Sequence, residues 1–314
     1  MYLKLKSCRD VASAVKTMKI RGAPLIGAAS AYALALSAVH SKASTRAELL
    51  GKLKESAEII QATRPTGVNL FWAVERILNK VVHSQLASVD ELKNLVVKEA
   101  QKIADEDVQA NQKMGEYGSK LIADGNTILT HCNAGALATV DYGTALGVIR
   151  SAWEQGKRIS VIATETRPKL QGAKLTAYEL KMLGIPFKLI TDNMVGYVMS
   201  RKMVDLVIVG ADRIVRDAVV NKIGTYSIAV LALEHEVPFY AAAPLSTFDL
   251  HHTLKDVVIE ERDPDEVTKI GSRRFAPRGT TALNPAFDIT PMQYVTRIIC
   301  EKGVFTPQEL QKLA

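Results

Sequence analysis

A cysteine and an aspartate stand at equivalent places in the second half of the sequence. Cys132 and Asp212 each follow a short apolar run. A thiol near a helix N-terminus favours the thiolate, and burial raises the pKa of a carboxyl into a range that suits proton transfer. Together the two groups could move a proton between neighbouring carbons, as an isomerase requires. The alternatives are a cysteine that packs as a small apolar residue, and an aspartate that caps a helix or pairs with Arg213 or Arg216.

Three segments carry side chains that could hold a phosphate group. Residues 221–225 place the Asn221 amide, Lys222 and several backbone N–H groups before a predicted helix. Arg21 and Arg64 each begin a turn-forming tetrapeptide, Arg-Gly-Ala-Pro and Arg-Pro-Thr-Gly, and a guanidinium can bind phosphate through two hydrogen bonds. The simpler interpretations are a solvated helix start and two ordinary surface arginines.

Strands and helices alternate after Gly125, and this alternation positions the candidate residues. It predicts a Rossmann-like, doubly wound α/β fold, which is a parallel sheet with helices on both faces. In such sheets ligands bind beyond the carboxyl ends of the strands. The predicted strands are 127–130, 159–163, 187–190, 206–209 and 239–242, and the predicted helices are 142–154, 173–183, 194–203 and 226–235. The polar residues that follow the strands are 131–133, 165–167, 192–193, 212–213 and 244–247.

The first third of the chain is predicted to be helical. Ser88 and Glu91, three positions apart, form a capping-box pattern before a long segment of helical period. We therefore expect a smaller, mainly helical domain over residues 1–118 and the α/β domain over residues 119–314. A last helix is predicted over residues 291–301, with proline in its first turn.

The uncharged stretch 23–39 superficially resembles a signal peptide. It is about 17 residues long against about 20 for a membrane span, and it is rich in Ala, Ser and Gly. We expect a buried helix that packs through small residues, and no association with a membrane.

Composition and charge limit the classes of partner. The 314 residues carry 40 Lys and Arg against 33 Asp and Glu, a net charge of +7, and the two signs are interspersed. A nucleic-acid arm would show a basic run, so we expect anionic small molecules and no nucleic acid. No G-x-G-x-x-G motif follows a strand, and adjacent His251 and His252 would face apart, so neither a nicotinamide cofactor nor a metal is expected.

The cysteines indicate the compartment. Cys8, Cys132 and Cys300 are odd in number and far apart, so the sequence predicts no disulfide framework and a reducing, cytoplasmic location. Cys8 and Cys300 lie on segments that we interpret as helical, and we expect both to be ordinary buried residues.

Eight sequence blocks, in order along the chain, give the sequence a specific resemblance. It resembles the methylthioribose-1-phosphate isomerase family of methionine salvage, which is related to the regulatory subunits of translation initiation factor 2B. The resemblance runs from about residue 6 to residue 305. The blocks are RGAPLIG from Arg21, RPTGVNLFWAV from Arg64, THCNAGALAT from Thr130, ETRPKLQGAKLTA from Glu165, TDNM from Thr191, GADRI from Gly210, NKIGTY from Asn221 and NPAFDITP from Asn284.

The resemblance implies roles for individual residues. It implies that Cys132 and Asp212 are the catalytic pair. It also implies substrate contacts from Arg21, Gly22, Ala23, Arg64, Gln171, Asn221 and Lys222; of these, Gln171 is reached by the resemblance alone. The implied reaction converts 5-methylthioribose 1-phosphate to 5-methylthioribulose 1-phosphate without a cofactor, in a cytoplasmic homodimer. The alternatives are a ribose-1,5-bisphosphate isomerase and a non-catalytic regulatory subunit of a translation factor.

Overall fold

A computed structural model describes residues 3–64 and 67–313. By its internal contacts the chain forms two compact units. The first comprises residues 1–109 with 138–141, and the second comprises residues 110–137 with 142–314. The division into domains 1–118 and 119–314 stays a prediction.

The first unit is helical, as predicted. Helix α2 is the uncharged stretch, and its small residues Ala31, Ala33 and Ala38 are fully buried. It is therefore a buried helix, as the sequence predicts, and no helix in the described ranges is long and apolar enough to span a bilayer. The helices are α1 (Cys8–Lys16), α2 (Ala23–Val39), α3 (Arg46–Gln61), α4 (Val68–Val82) and α5 (Val89–Gly118), the last of which continues into the residues of the second unit.

The second unit contains a seven-stranded sheet, a four-stranded sheet and a two-stranded sheet. In chain order its elements are β1 (Thr127–Thr130), α6 (Ala145–Glu154), β2 (Ser160–Thr164), α7 (Ala177–Leu183), β3 (Phe187–Ile190), α8 (Val195–Ser200), β4 (Leu206–Val209), β5 (Arg213–Val215), β6 (Ala218–Lys222), α9 (Thr225–Glu234), β7 (Phe239–Ala242), β8 (Phe248–Asp249), α10 (Asp265–Thr268), β9 (Lys269–Ile270), β10 (Arg273–Arg274), β11 (Phe287–Pro291), β12 (Arg297–Cys300) and β13 (Gly303–Phe305). The bounds of β1, β3, β4 and β7 are those predicted.

The main sheet confirms the predicted fold class. Its order is β13-β12-β7-β4-β1-β2-β3, and the strands from β12 to β3 run parallel. One apolar core lies on the face that α8 and α9 cover, and the other lies on the face that α6 and α7 cover. The chain order reverses between β1 and β4. Such a switch point opens a crevice at the carboxyl ends of the strands in doubly wound sheets.

The predicted last helix is wrong. Residues 287–291 form β11 and residues 297–300 form β12, so Cys300 also lies on a strand. Ile298 and Ile299 are fully buried beside β7, and a short apolar segment buried on both faces is typical of a parallel strand. Pro291 ends an edge strand, a place that tolerates proline as well as a helix start does.

A second, four-stranded sheet was not predicted from the sequence. Its order is β11-β6-β5-β8, with β6 antiparallel to both of its neighbours. It contains Asn221 and Lys222, which the sequence analysis placed at the start of a helix. The helix α9 does follow them, but both residues are paired in β6.

Candidate functional site

Cys132 sits in an unusual backbone conformation just beyond the end of β1. Its φ is +63°, a left-handed value that is uncommon for a residue with a side chain. Its N–H donates to Thr166 Oγ1 at 2.9 Å, and its carbonyl accepts from Thr176 Oγ1 at 2.6 Å. The residue is buried. Strained residues that neighbours hold in place cluster at functional sites, which agrees with the predicted role of this cysteine.

The loop after Cys132 is held by a buried glutamate rather than by a helix start. Glu179 accepts hydrogen bonds from the backbone N–H of Ala136 at 2.7 Å, from Leu137 N–H at 3.4 Å and from Asn133 Nδ2 at 2.8 Å. A Cβ at Gly135 would overlap the Glu179 carboxylate, so any side chain there would displace that carboxylate from the loop. Sequence reasoning missed Glu179, because it lies on α7 and reaches the loop only in the folded chain.

The helix N-terminus expected directly after Cys132 is absent. A single 3-10 turn, Ala136–Ala138, comes first, and α6 begins only at Ala145. The glycine-containing sequence after the cysteine forms an irregular loop instead, because the Glu179 carboxylate takes the backbone N–H groups that a helix start would present.

The other two cysteines are ordinary core residues, as predicted. Burial raises the pKa of the Cys8 thiol and raises that of Cys300 to about 11. Thiolates are the reactive form of cysteine, so neither position suits a nucleophile or an acid–base group at neutral pH.

His131 joins two loops of the second unit. Its Nδ1 lies 2.6 Å from Thr164 Oγ1 and its Nε2 lies 2.9 Å from the carbonyl oxygen of Ile223. Burial lowers the pKa of the imidazole, so the ring is neutral, with Nε2–H donating to the carbonyl and Nδ1 accepting from the hydroxyl. His131 directly precedes Cys132 and Ile223 directly follows Lys222, so this hydrogen bond links the two candidate segments.

Asp212 follows the strand that neighbours the strand before Cys132. It follows β4, the middle strand of the main sheet, and β4 is the direct parallel neighbour of β1. The two residues thus follow the two strands that flank the switch point. Asp212 is half-buried, whereas the sequence analysis expected burial. Its N–H donates to the carbonyl of Val220 at 2.9 Å, and Arg213, one expected partner, bonds instead to Asp249 at 2.5 Å.

Asn221 and Lys222 end β6 and point to opposite faces of the small sheet. The Asn221 amide donates to Thr225 Oγ1 at 3.1 Å. Lys222 Nζ donates to the carbonyl of Ala286 at 2.6 Å and lies 4.4 Å from the centre of the Phe287 ring. Both residues are buried, so the alternative interpretation of a solvated helix start is wrong. Strand pairing encloses them, and a buried lysine is a stronger anion site than an exposed one.

A carboxylate already occupies the N-terminus of α9. Asp288 Oδ2 accepts from the N–H of Gly224 at 2.7 Å. The sequence analysis expected backbone N–H groups there to be available for phosphate, but an anionic side chain takes this favourable position. Burial raises the pKa of Asp288 to about 6.

Gln171 is buried in the segment between β2 and α7. Its Oε1 is enclosed and has no hydrogen-bond partner within residues 3–64 and 67–313. A buried acceptor without a donor costs free energy, so a ligand donor at this position would be favourable. The segment is fixed by Asp192, which accepts from the backbone N–H of Thr166 at 2.7 Å and from that of Arg167 at 2.6 Å.

The remaining predicted contacts lie in the first unit. Gly22, with φ +97°, immediately precedes α2, and a Cβ there would overlap the backbone of Ala138, so the position requires glycine. Ala23 is the first residue of α2. Arg64 Nη1 lies 3.6 Å from Met18 Sδ. The predicted turn at 64–67 includes Pro65 and Thr66, which lie outside the described residues.

A metal cluster and a ligand cavity are two further kinds of site that could carry a function. Among the residues that the structure describes, no three His, Cys, Asp or Glu side chains are grouped to hold a metal. A cavity of about 380 Å³ lies beside Leu170, but its charges largely pair with one another, as in the ion pair between Lys169 and Glu266 at 3.1 Å.

Comparison with known proteins identifies the family. A profile of the initiation factor 2 subunit family matches residues 19–307. The chain belongs to this family. Within it, the chain is 50% identical over 315 residues to the methylthioribose-1-phosphate isomerase of Desulforamulus reducens, covering 100% of this chain and 91% of the relative.

Solved structures show the same fold. The structure of 5-methylthioribose 1-phosphate isomerase from Pyrococcus horikoshii has a TM-score of 0.90 and 48% identity, covering 99% of this chain and 88% of that one. A structure from A. fulgidus described as translation initiation factor eIF-2B, subunit delta, has a TM-score of 0.84 and 53% identity, covering 98% and 90%. Two of the three functions considered from the sequence, the methylthioribose-1-phosphate isomerase and the translation-factor subunit, are therefore represented among similar proteins.

Proposed function

We propose that the chain is a methylthioribose-1-phosphate isomerase, which converts 5-methylthioribose 1-phosphate to 5-methylthioribulose 1-phosphate in methionine salvage. The observation that carries the proposal is the position of Cys132 and Asp212 after the two strands that flank the switch point. The relative of that name from D. reducens, which is 50% identical over the whole chain, supports the same substrate. A purely regulatory subunit has no chemical need for this pair.

The chemistry gives each member of the pair a role. The anomeric oxygen of the substrate carries phosphate, so the ring cannot open through a free hemiacetal. Asp212 donates a proton to the ring oxygen as the bond from C1 to that oxygen breaks. Cys132 assists the transfer of hydrogen from C2 to C1. The C2 hydroxyl loses its proton as the ketone forms. The proton returns to Asp212, so the enzyme ends unchanged.

The proposed substrate contacts are supported by different observations. For Gln171, the support is the enclosed Oε1 that has no donor in the described chain. For Asn221 and Lys222, it is their burial at the end of β6, where Lys222 brings an enclosed positive charge. The proposed contacts from the first unit are supported by the sequence resemblance alone. They are Arg21, Gly22, Ala23 and Arg64.

The decisive experiment compares two substrates by NMR. The protein is given 5-methylthioribose 1-phosphate or ribose 1,5-bisphosphate, and ketose formation is followed. We expect conversion of the first alone and its loss in Asp212→Asn. Asp217→Asn is the matched control, because Asp217 lies in the turn between β5 and β6 and binds the backbone N–H of Leu254 at 2.7 Å. Conversion of the bisphosphate instead would favour the ribose-1,5-bisphosphate isomerase. Conversion of neither sugar by folded protein would favour the regulatory subunit.

We also propose a cytoplasmic homodimer formed through the α/β unit. An apolar face of α9 is exposed at Tyr226, Val230 and Leu233, which recur at helical spacing, and Tyr197 of α8 is exposed as well. An exposed patch of this kind on a helix pair suits a two-fold contact. We expect Leu233→Lys to convert dimer to monomer in light scattering, whereas Leu283→Lys, at a more exposed leucine outside this face, leaves the mass unchanged.

A further inference from the structure

Asn221 and Asp288 are direct neighbours across two strands. They face one another in the antiparallel pair of β6 and β11. Residues directly opposite in such a pair project to the same face of the sheet, with Cβ atoms about 5 Å apart. Lys222 is paired with Phe287 and projects to the other face. A ligand that contacts the Asn221 side chain therefore lies within reach of Asp288.

The two oxygens of Asp288 have different surroundings. Oδ2 accepts from the N–H of Gly224, whereas Oδ1 is enclosed and has no hydrogen-bond partner in the described part of the chain. A buried acceptor without a donor is unfavourable, and a chain optimised for stability would replace it with an amide or an apolar residue. The backbone N–H groups of Gly224 and Tyr226 both face the carboxylate and favour its ionised form, yet Oδ1 still has no hydrogen-bond partner in the described part of the chain.

We propose that Asp288 is a further substrate-binding residue, whose Oδ1 accepts a hydrogen bond from the C3 hydroxyl of the sugar phosphate beside Asn221. This inference rests on the proposed function. The substrate carries two hydroxyls, and the C2 hydroxyl loses its proton during the reaction. The C3 hydroxyl keeps its proton throughout and is the donor that a fixed acceptor can bind from ground state to product.

The charges of the site agree with this orientation. A carboxylate and a phosphate are both hydrogen-bond acceptors and repel one another, so Asp288 suits the sugar and not the phosphate. The buried ammonium of Lys222, on the other face of β6, suits the phosphate. The raised pKa of Asp288 reflects the same enclosure, and a hydroxyl donor would stabilise its ionised form.

The test combines a variant with a substrate analogue. In Asp288→Asn, the amide oxygen can still accept from Gly224, but an amide N–H₂ takes the place of Oδ1, so the C3 hydroxyl loses its charged acceptor and can at most accept a weaker, uncharged hydrogen bond. We expect KM for 5-methylthioribose 1-phosphate to rise at least about 10-fold with a smaller change in kcat. Glu301→Gln is the control, because Glu301 is also a buried carboxylate that accepts a backbone N–H, from Leu245 at 3.0 Å, and its KM should not change.

The analogue decides whether the effect comes from C3. The wild-type protein should process the 3-deoxy substrate at least about 10-fold less efficiently, while Asp288→Asn should show little further loss on the same change, because the bond is already absent. Two losses that multiply, or an unchanged KM in folded Asp288→Asn, would overturn the inference. If the variant does not fold, the wild-type protein decides: no penalty for the 3-deoxy substrate overturns the inference. Wild-type protein inactive on both sugars removes the proposed function itself, which is a separate outcome.

Discussion

Replacing Asp288 with asparagine should make the protein more stable at neutral pH. The pKa of Asp288 is raised by burial from its ordinary value of 3.8 to about 6. Between these values the folded chain holds a proton that the unfolded chain releases, so stability falls as the pH rises from about 4 to about 6. Above that range the ionised carboxylate destabilises the fold by about 3 kcal/mol, because each unit of pKa corresponds to about 1.4 kcal/mol. Asparagine has no proton to release.

The assay is urea unfolding of both proteins at intervals from pH 4 to pH 8. The difference in unfolding free energy between Asp288→Asn and wild type should grow by about 3 kcal/mol in favour of the variant across this range, and should level off above pH 7. Asp256→Asn gives the opposite sign. Hydrogen bonds from Thr253 hold the pKa of Asp256 below its usual range, so the ionised side chain stabilises the fold. Asp256→Asn should therefore be less stable than wild type throughout the assay, by a difference that changes little above about pH 5 and shrinks only as the pH falls further. A difference for Asp288→Asn that stays flat with pH, or that favours wild type at pH 7, would refute the reasoning.

Three further predictions concern the loop that holds Cys132, the proposed catalytic cysteine. Glu179→Gln should lower kcat at least about 10-fold with little change in KM, because one amide oxygen cannot replace two carboxylate oxygens that accept from three groups; a KM effect alone would contradict this. Gly135→Ala should give a similar loss in kcat, because a Cβ overlaps the Glu179 carboxylate, and an unchanged kcat would show that the loop adapts. Iodoacetamide at pH 7.5 should modify Cys132 well before Cys300, whose pKa is about 11, as peptide mass spectrometry would show; preferential labelling of Cys300 would contradict it.

The sequence predicted what local patterns determine. Cys132 and Asp212 could be found because each follows a short apolar run, and the carboxyl ends of parallel strands meet at one edge. The structure confirms those strands and adds that they are the pair at which the chain order reverses. The degree of burial at Asp212 depends on how the following hairpin packs, which no local pattern contains.

Long-range pairing explains what the sequence did not predict. Asp288 becomes a neighbour of Asn221 only because β11 pairs with β6, and the two short strands are far apart in the sequence. Glu179 sits on a helix with an ordinary spacing and shows its role only through the loop that it binds. The prediction of a helix over residues 291–301 was wrong for a related reason. Proline at a helix start and proline at the end of an edge strand cannot be told apart from one sequence.

The small sheet also separates the two kinds of charge that the proposed substrate needs. Many phosphate sites rely on free backbone N–H groups at a helix N-terminus. Here the Asp288 carboxylate occupies that position on α9, so we expect phosphate bound at this sheet to rely on a side-chain cation such as Lys222 rather than on that helix. The alternation of β6 places Lys222 on one face and Asn221 with Asp288 on the other.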